Sequence, residues 1–336
     1  MSLSQKNVDI LSRYSSSVPK RHYEGETGYM ELLSDIVKFG SDIPDRTAVG
    51  RRKLFSCTIR FDMRDSFPAP TVRNTPLYIA VREFWGFLNG RPDIHNYLKE
   101  FGISIWEGNT TREFLDARGL KHLPVGHGGK SYAFQYRNFN GDYDKNYMPV
   151  GGIDQIKGAY DDLKNNCFSS RIITSIWNPA QEKEMALPPC WWNHQFLVTL
   201  DENGNKVLNI HATARSADCL FGLPFNVQQF SSYLCAMAKV QGMIAGEFFA
   251  TLVDAHVYGA LEDLNRPSEE NDKASQMRYV METLQRDLCS DNVHFEIKKE
   301  LNSFEDLLSL TPDDFVLHGH NVNKTKYFEP RPQMAV

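Results

Sequence analysis

Cys190 stands in the segment MALPPCWWNHQFLV, and its neighbours give it chemical interest. The two prolines before it can neither continue a helix nor donate to a sheet ladder, so they impose an irregular approach. A thiol held on such a loop, beside a strand, can be presented to a cleft. A nucleophilic cysteine also needs a lowered pKa, which nearby cations supply. By residue type alone a cysteine is a buried core residue; here the flanking sequence argues for more.

Arginines recur at loop and strand-end positions. Arg46 lies in DRTAVG, Arg171 opens a strand, and Arg215 with Ser216 lies in ARSADCLFGLPFN. Arginine suits bidentate contact with phosphate. Taken singly, each reads as a solvated surface residue. Converging with Ser216, three of them make a phosphate site and also acidify a nearby cysteine. Glu83, in PLYIAVREFWGFLNG, has Ile79, Ala80, Gly86 and Phe87 three and four positions away. A carboxylate on that helix face is poorly solvated, and desolvation raises its pKa toward the range useful for proton transfer. The same residue at the edge of an amphipathic face simply reaches water. Asn226 follows GLPF, where it serves either as a helix N-cap or as an amide reading a base edge. Asp254, His256 and Tyr258 alternate at a strand end and project to one side. They suit sugar hydroxyls or a plain polar strand end.

The elements that must position these residues read as follows. Residues 28–39 carry Tyr29, Leu32, Leu33, Ile36 and Val37 on one helical face. Phe55, Cys57, Ile59, Phe61 and Met63 alternate with polar residues and predict a half-buried strand. Pro76 suits the first turn of a helix running to about Leu88. Residues 93–101, 153–165 and 275–287 also read as helices, with a long apolar helix from Val227 to Gly242. Strands are expected at 171–177, 194–200, 206–215 and 293–298 and approaching Tyr258, with Asn203-Gly204 turning the 194–200/206–215 hairpin. Hairpin-spaced strands mixed with scattered helices favour an α+β domain, helices packed on a mixed sheet, over a doubly wound parallel fold.

Composition is that of an ordinary globular chain. It has 336 residues, 41% hydrophobic and 24% charged, with net charge −5. That charge gives no basic footprint for nucleic acid, though a few clustered arginines suffice for one phosphate. No stretch is apolar enough for a membrane span, since the longest candidate is broken by Lys239, Gln241 and Glu247. No secretory signal is evident, so a cytoplasmic location is expected. The six cysteines form no C-x-x-C pair and suit neither a disulfide framework nor a metal site. Residues 1–27 are polar and Ser-rich and read as a flexible extension; residues 28–336 read as one catalytic domain.

Taken together, DRTAVG, FPAPT, ALPPC with Gln195 five residues beyond the cysteine, RSADCLFGLPFN, DAHVY and the terminal MAV resemble thymidylate synthase and its pyrimidine nucleotide hydroxymethylase relatives. They occur in that family's order over roughly Gly28 to Val336. The resemblance implies a homodimer formed through the sheet. It also implies a covalent mechanism in which Cys190 attacks C6 of the pyrimidine and C5 takes a one-carbon unit from 5,10-methylenetetrahydrofolate. It assigns Glu83 and Tyr132 to proton transfers. Arg46, Arg215 and Ser216 become phosphate ligands, and Arg171 a phosphate ligand given across the dimer. Gln195 joins the substrate site, and His256 and Tyr258 bind the ribose hydroxyl. Asp218, Trp106, Asn109 and Val336 fall on the folate side. Asn226 matches N3–H and O4 of uracil, where cytosine-specific relatives tend to carry Asp.

Several positions depart from the synthase pattern. Asn109 replaces a tryptophan, Trp191 replaces a histidine, and Ser170 replaces one of an arginine pair. Arg82 stands where His is common and Arg73 where Lys is usual. Water access decides whether the C5 methylene is reduced to methyl or hydrated to hydroxymethyl. Asn109 makes the site wetter; Trp191 and the MAV terminus pull the other way. The expectation drawn is 5-hydroxymethyl-dUMP, as in modified viral DNA or a nucleoside natural product. The alternatives are thymidylate formation or the same chemistry on UMP or a cytidine nucleotide.

Overall fold

The computed structural model describes residues 3–14, 16–44, 49–266, 273–290 and 292–333. In chain order the first elements are helix α1 (Gln5–Ser12), strand β1 (His22–Glu24), α2 (Gly25–Phe39), β2 (Ser41–Ile43) and β3 (Arg51–Asp62). Helices α3 (Leu77–Leu88), α4 (Ile94–Lys99), α5 (Arg112–Ala117) and α6 (Tyr132–Asn138) come next. A small hairpin, β4 (Asp142–Tyr143) and β5 (Pro149–Val150), precedes α7 (Gln155–Asn165). Then come β6 (Ile173–Ser175), β7 (Trp191–Leu200), β8 (Lys206–Ala214), β9 (Ala217–Asp218), α8 (Gly222–Val240) and β10 (Ile244–Tyr258). Helix α9 (Met277–Thr283), β11 (His294–Ile297), α10 (Phe304–Leu308) and β12 (Phe315–His318) end the described chain.

The principal sheet runs β1-β3-β10-β8-β7-β6, with β2 added to β3 and β9 to β10. Strand β10 is antiparallel to β3 but parallel to β8, so the sheet is mixed, as the α+β reading expected. Helices α2 and α8 cover one face. Phe84 of α3 meets Phe230 and Tyr233 of α8 at ring centroids 5.3 and 5.6 Å apart, which locks α3 against α8. Among the described residues the opposite sheet face is uncovered and keeps large apolar side chains in the open. Phe55 is 77% exposed and Ile173 53%.

Phe55 marks a difference from the expected pattern. Cys57, Ile59 and Phe61 are buried as the alternation predicts, but the inside positions before them are Leu54 and Arg52. Ser56 has φ of +50°, a left-handed conformation that shifts the strand's side-chain phase by one residue. Strand β10 changes phase at the same level, around Val253, so the two strands stay in register across the shift. Residues 1–27, expected as an extension, contribute two elements to this body. Ile10 and Leu11 of α1 are buried, and Tyr23 of β1 is 1% exposed where β1 pairs with β3.

Candidate active site

The prolines act as the sequence reading anticipated. Pro188 and Pro189 lead into β7, and Cys190 sits half-buried one residue before the strand begins. Two groups hold this turn. Arg215, just past the end of β8, donates through its backbone N–H to the Cys190 carbonyl at 2.8 Å. Its guanidinium donates to the carbonyls of Pro189 and Pro188 at 2.9 and 3.0 Å. Arg215 therefore grips the loop that carries the thiol, a role the phosphate reading did not anticipate. From the other side, the Tyr132 hydroxyl accepts from the backbone N–H of Cys190 at 2.6 Å and of Trp191 at 3.4 Å.

Three cysteines away from this loop are held protonated. Cys57 is buried and Cys235 half-buried, and burial pushes both thiols up to about 12. Burial also drives the Cys219 thiol well above its ordinary value. Such thiols stay protonated and inert near neutrality.

Tyr132 opens α6, a short helix the sequence reading missed. Its ring stacks on Phe87 at 4.9 Å and meets Trp106 edge-on at 6.2 Å. Burial raises its hydroxyl well above the ordinary tyrosine value, and nearby Cys190 and Glu83 add to that. Trp106 is 5% exposed and donates its indole N–H to Glu83 Oε1 at 2.6 Å. Glu83 Oε2 accepts from Gln229 Nε2 at 2.5 Å. Gln229 Oε1 in turn accepts from Asn226 Nδ2 at 3.0 Å. Burial raises the Glu83 carboxyl above its ordinary value, and the two hydrogen bonds only partly offset the shift. An unbroken path of contacts thus runs from the thiol's loop through Tyr132, Trp106, Glu83 and Gln229 to Asn226. Gln229 was not singled out from sequence. Its spacing of three from Asn226 on one helix puts it on the side that faces α3, which becomes informative only once Glu83 is known to stand opposite.

Asn226 does not cap its helix. α8 begins at Gly222, and Asn226 sits beyond its first turn with its side chain on the Glu83 side. The start of the helix is held by Asp218 instead, whose Oδ1 accepts from the N–H groups of Leu220 and Phe221 at 3.0 and 3.1 Å. Asp218 Oδ2 accepts from Gln276 at 3.0 Å. A Cβ placed on Gly222 would lie 3.4 Å from Asp218 Cβ and 3.8 Å from Asn226 Oδ1. The missing side chain keeps open the space that these two polar residues flank. Asn109 is buried, 9% exposed.

The expected sugar and phosphate ligands are less gathered. His256 is 1% exposed, with Nδ1 3.3 Å from Asp254 Oδ1 and no partner for Nε2 among the described residues. Burial pushes the Asp254 carboxyl upward, but His256, Arg51 and Lys53 together hold it below its ordinary value. Tyr258 meets His256 edge-on at 5.3 Å. Ser216 is half-buried between β8 and β9. Arg171 is exposed, and among the described residues no hydrogen bond or ion pair joins its guanidinium to the site. Gln195 donates to the Ser170 carbonyl at 2.8 Å and so braces Arg171's segment rather than the thiol. Arg46 and Val336 lie outside the described residues.

Trp191 corrects an expectation. It was read as a large apolar wall beside the cysteine. It is instead 4% exposed and packed inward against Phe230 at 5.1 Å and Phe248 at 6.3 Å. It belongs to the core and bears little on water in the cleft. Arg73 is also buried, donates to the Leu220 carbonyl and lies over the Phe221 ring at 5.0 Å.

A thymidylate synthase family model matches residues 27–330. The thymidylate synthase of Saccharomyces cerevisiae is 40% identical over 242 residues, 69% of this chain and 79% of that protein. A bifunctional dihydrofolate reductase-thymidylate synthase of Zea mays is 37% identical over 257 residues, 75% of this chain and 48% of that protein. A second such protein, from Arabidopsis thaliana, is 33% identical over 316 residues, 93% of this chain and 52% of that protein. The chain spans about half the length of these bifunctional relatives.

Proposed function

The chain belongs to the thymidylate synthase family, and from that premise we propose that it methylates dUMP at C5 to give dTMP. The observation that carries this reading is the contact path joining the Cys190 loop to Glu83 and Asn226. That path supports reading Cys190 as the nucleophile, Glu83 as the proton-handling carboxyl and Asn226 as the base-reading amide of one site.

The residues then divide the work. Cys190 Sγ adds to C6 of the uracil ring, and the displaced electrons move toward O4, where the Asn226 amide stabilises them. C5 becomes nucleophilic. Glu83, with its carboxyl raised above its ordinary value by burial, exchanges a proton at the O4 side. Tyr132 stands between the thiol's loop and Trp106, placed to pass on the proton leaving C5. Arg215 keeps the thiol's loop fixed and turns its remaining donor capacity to the phosphate. The buried, unpartnered His256 Nε2 suits a ribose hydroxyl. The space at Gly222, between Asp218 and Asn226, fits the one-carbon donor. Bound 5,10-methylenetetrahydrofolate supplies the methylene carbon and the hydride that reduces it.

The hydroxymethyl product expected from sequence is not put forward here. The argument for it weighed Asn109 and Trp191 as opposing walls of one cleft, and Trp191 is a core residue. The relatives described above are named for thymidylate synthesis.

The enzyme acts as a homodimer through the bare sheet face, in the cytoplasm. Support comes from the exposed apolar row of Phe55, Ile173, Leu197 and Val253. Arg171 shares the side-chain parity of Ile173 at the rim of that face, which suits donation to a second copy. No helix among the described residues is long and apolar enough to cross a membrane.

The test is incubation of the full chain with methylenetetrahydrofolate and dUMP, UMP or dCMP, with products identified by mass. Methylated dUMP with stoichiometric dihydrofolate is expected. A hydroxymethylated nucleotide with tetrahydrofolate overturns the proposed product.

A further inference from the structure

We propose that Gln229 locks the Asn226 amide in the orientation that pairs with uracil, and that Glu83 sets this orientation through Gln229. The inference rests on the reading of Asn226 as the residue that meets the base.

The argument is one of donors and acceptors. Trp106 Nε1 can only donate, and it takes Glu83 Oε1 at 2.6 Å. An ionised carboxylate can only accept, so its second oxygen must face the NH2 of the Gln229 amide, as it does at 2.5 Å. Gln229 is 2% exposed, so a wrong orientation would bury its amide groups against unmatched partners. Its carbonyl oxygen is left facing Asn226, which must answer with Nδ2, as it does at 3.0 Å. Each amide has one choice once Glu83 is charged. The neighbouring Gln228 does not compete: it donates to the carbonyls of Thr75 and Pro224 instead.

The consequence falls on the base. With one Nδ2–H committed to Gln229, Asn226 offers Oδ1 as an acceptor and its second N–H as a donor. Uracil presents N3–H and O4, which match that pair. Cytosine presents a bare N3 and an N4 amino group, the reverse pattern. An unrestrained asparagine would flip and serve either base. Here a flip sets Asn226 Oδ1 against Gln229 Oε1, two acceptors in a buried place with no proton between them. Asparagine alone therefore does not select uracil; asparagine held by Gln229 and Glu83 does.

The relay makes a directional prediction. In Glu83→Gln the new amide must accept from Trp106 through its oxygen, which turns its NH2 toward Gln229. Gln229 then flips to present its oxygen, its NH2 turns to Asn226, and Asn226 flips in response. The base wall then presents the cytosine pattern. Gln229→Leu cuts the relay and frees the Asn226 amide.

The experiment measures dissociation constants of dUMP and dCMP, without folate, for the full-length protein and both variants. The two nucleotides share phosphate and sugar, so their affinity ratio reports base recognition alone. The wild type is expected to prefer dUMP. In Gln229→Leu the ratio should narrow by roughly 10- to 100-fold, the scale of a lost bidentate base contact. In Glu83→Gln it should move toward dCMP at least as far. A ratio unchanged in both folded variants overturns the lock, even if both nucleotides bind more weakly. Should Gln229→Leu fail to fold, Gln229→Met takes its place, and Glu83→Gln tests the relay with Gln229 intact. If the wild type binds neither nucleotide, the reading of the site fails and the lock with it. If it binds dUMP and the variants keep its ratio, the lock alone fails.

Discussion

The two ends of the site are built differently. The wall made by Trp106, Glu83, Gln229 and Asn226 is closed within one chain: the hydrogen bonds pass from one side chain to the next, and Glu83 and Gln229 are fixed from both sides. The end expected to hold phosphate and sugar is open. Arg171 stands in solvent, Arg215 spends its guanidinium on two backbone carbonyls, and His256 keeps a buried nitrogen that has no partner among the described residues. A buried polar network must be complete in the chain that folds it, because each orphaned group costs about 1–3 kcal/mol. An anion site has no such constraint: exposed cations lose little by waiting in water for a phosphate or a second subunit.

The sharpest way to break this comparison is at the junction of the two ends. Cys190→Ser is expected to lower turnover by at least roughly a thousandfold, because the weaker nucleophile removes the covalent route. Nucleotide affinity should change by only a few-fold, since both binding ends remain. Single-turnover kinetics beside a dUMP binding isotherm check this. Turnover that survives the change would show that the chemistry does not run through the thiol.

The closed wall is tested next, at Glu83. Glu83→Gln keeps the size of the side chain but exchanges one acceptor oxygen for a donor NH2 and removes the titrating proton, so kcat should fall roughly a hundredfold or more. Stability should move the other way with pH. Burial raises the folded carboxyl above its ordinary value of 4.5. Between that value and the folded one, the folded protein holds a proton that the unfolded chain has lost. The stability tied to this proton is fully present below the ordinary value and is lost as pH rises through the folded one. The variant should lack that part of the slope. Thermal melts of both proteins from acid to neutral pH measure it, and parallel curves would mean that the carboxyl is not desolvated.

At the open end, Arg171→Ala should raise the dUMP KM roughly tenfold, the scale of one charge-assisted contact. It should leave stability unchanged, since the side chain touches nothing it would leave unsatisfied. A mixture sharpens the point. If Arg171 serves a second copy, hybrids of Cys190→Ser and Arg171→Ala subunits contain one site with both residues intact. Mixing the two weak proteins, with subunit exchange, should then restore activity. No recovery would place Arg171 outside the partner's site.

The same contrast explains what could be read from sequence. Helix α2, the β7–β8 hairpin and the long α8 were legible because each carries a periodic apolar pattern or a turn signal. Phe55 was misplaced because periodicity assumes an unbroken strand, and a single left-handed residue, Ser56, reverses the phase. Helix α6 was missed because it is short and nearly all buried, so it has no polar face to give it a period. At the site, Cys190, Glu83, Tyr132 and Asn226 were singled out as catalytic, and the structure joins them by one path of contacts. Gln229 was not singled out, because a glutamine inside a helix carries no signal until the helix opposite is known to present a carboxylate. Arg215 was legible as important but not in its task, because carbonyls exposed by two consecutive prolines become visible only when the turn is built.

The smallest effect on chemistry is expected at Trp191, which lies on neither end. It follows the nucleophile directly, so sequence adjacency puts it in the cleft, while strand alternation turns it into the core against Phe230 and Phe248. These two placements predict different things for Trp191→Phe. As a cleft wall, a smaller ring would admit water beside C5 and raise the share of hydroxymethylated product. As a core residue, it would leave a partly filled space behind β7, cost about 1–3 kcal/mol of stability and leave the product distribution alone. The core position predicts a lowered melting temperature, kcat within a few-fold of the wild type and an unchanged ratio of methyl to hydroxymethyl product. A product shift at unchanged stability would return Trp191 to the cleft. It would also mean that the ring, and not the wall of Glu83 and Gln229, keeps water from C5.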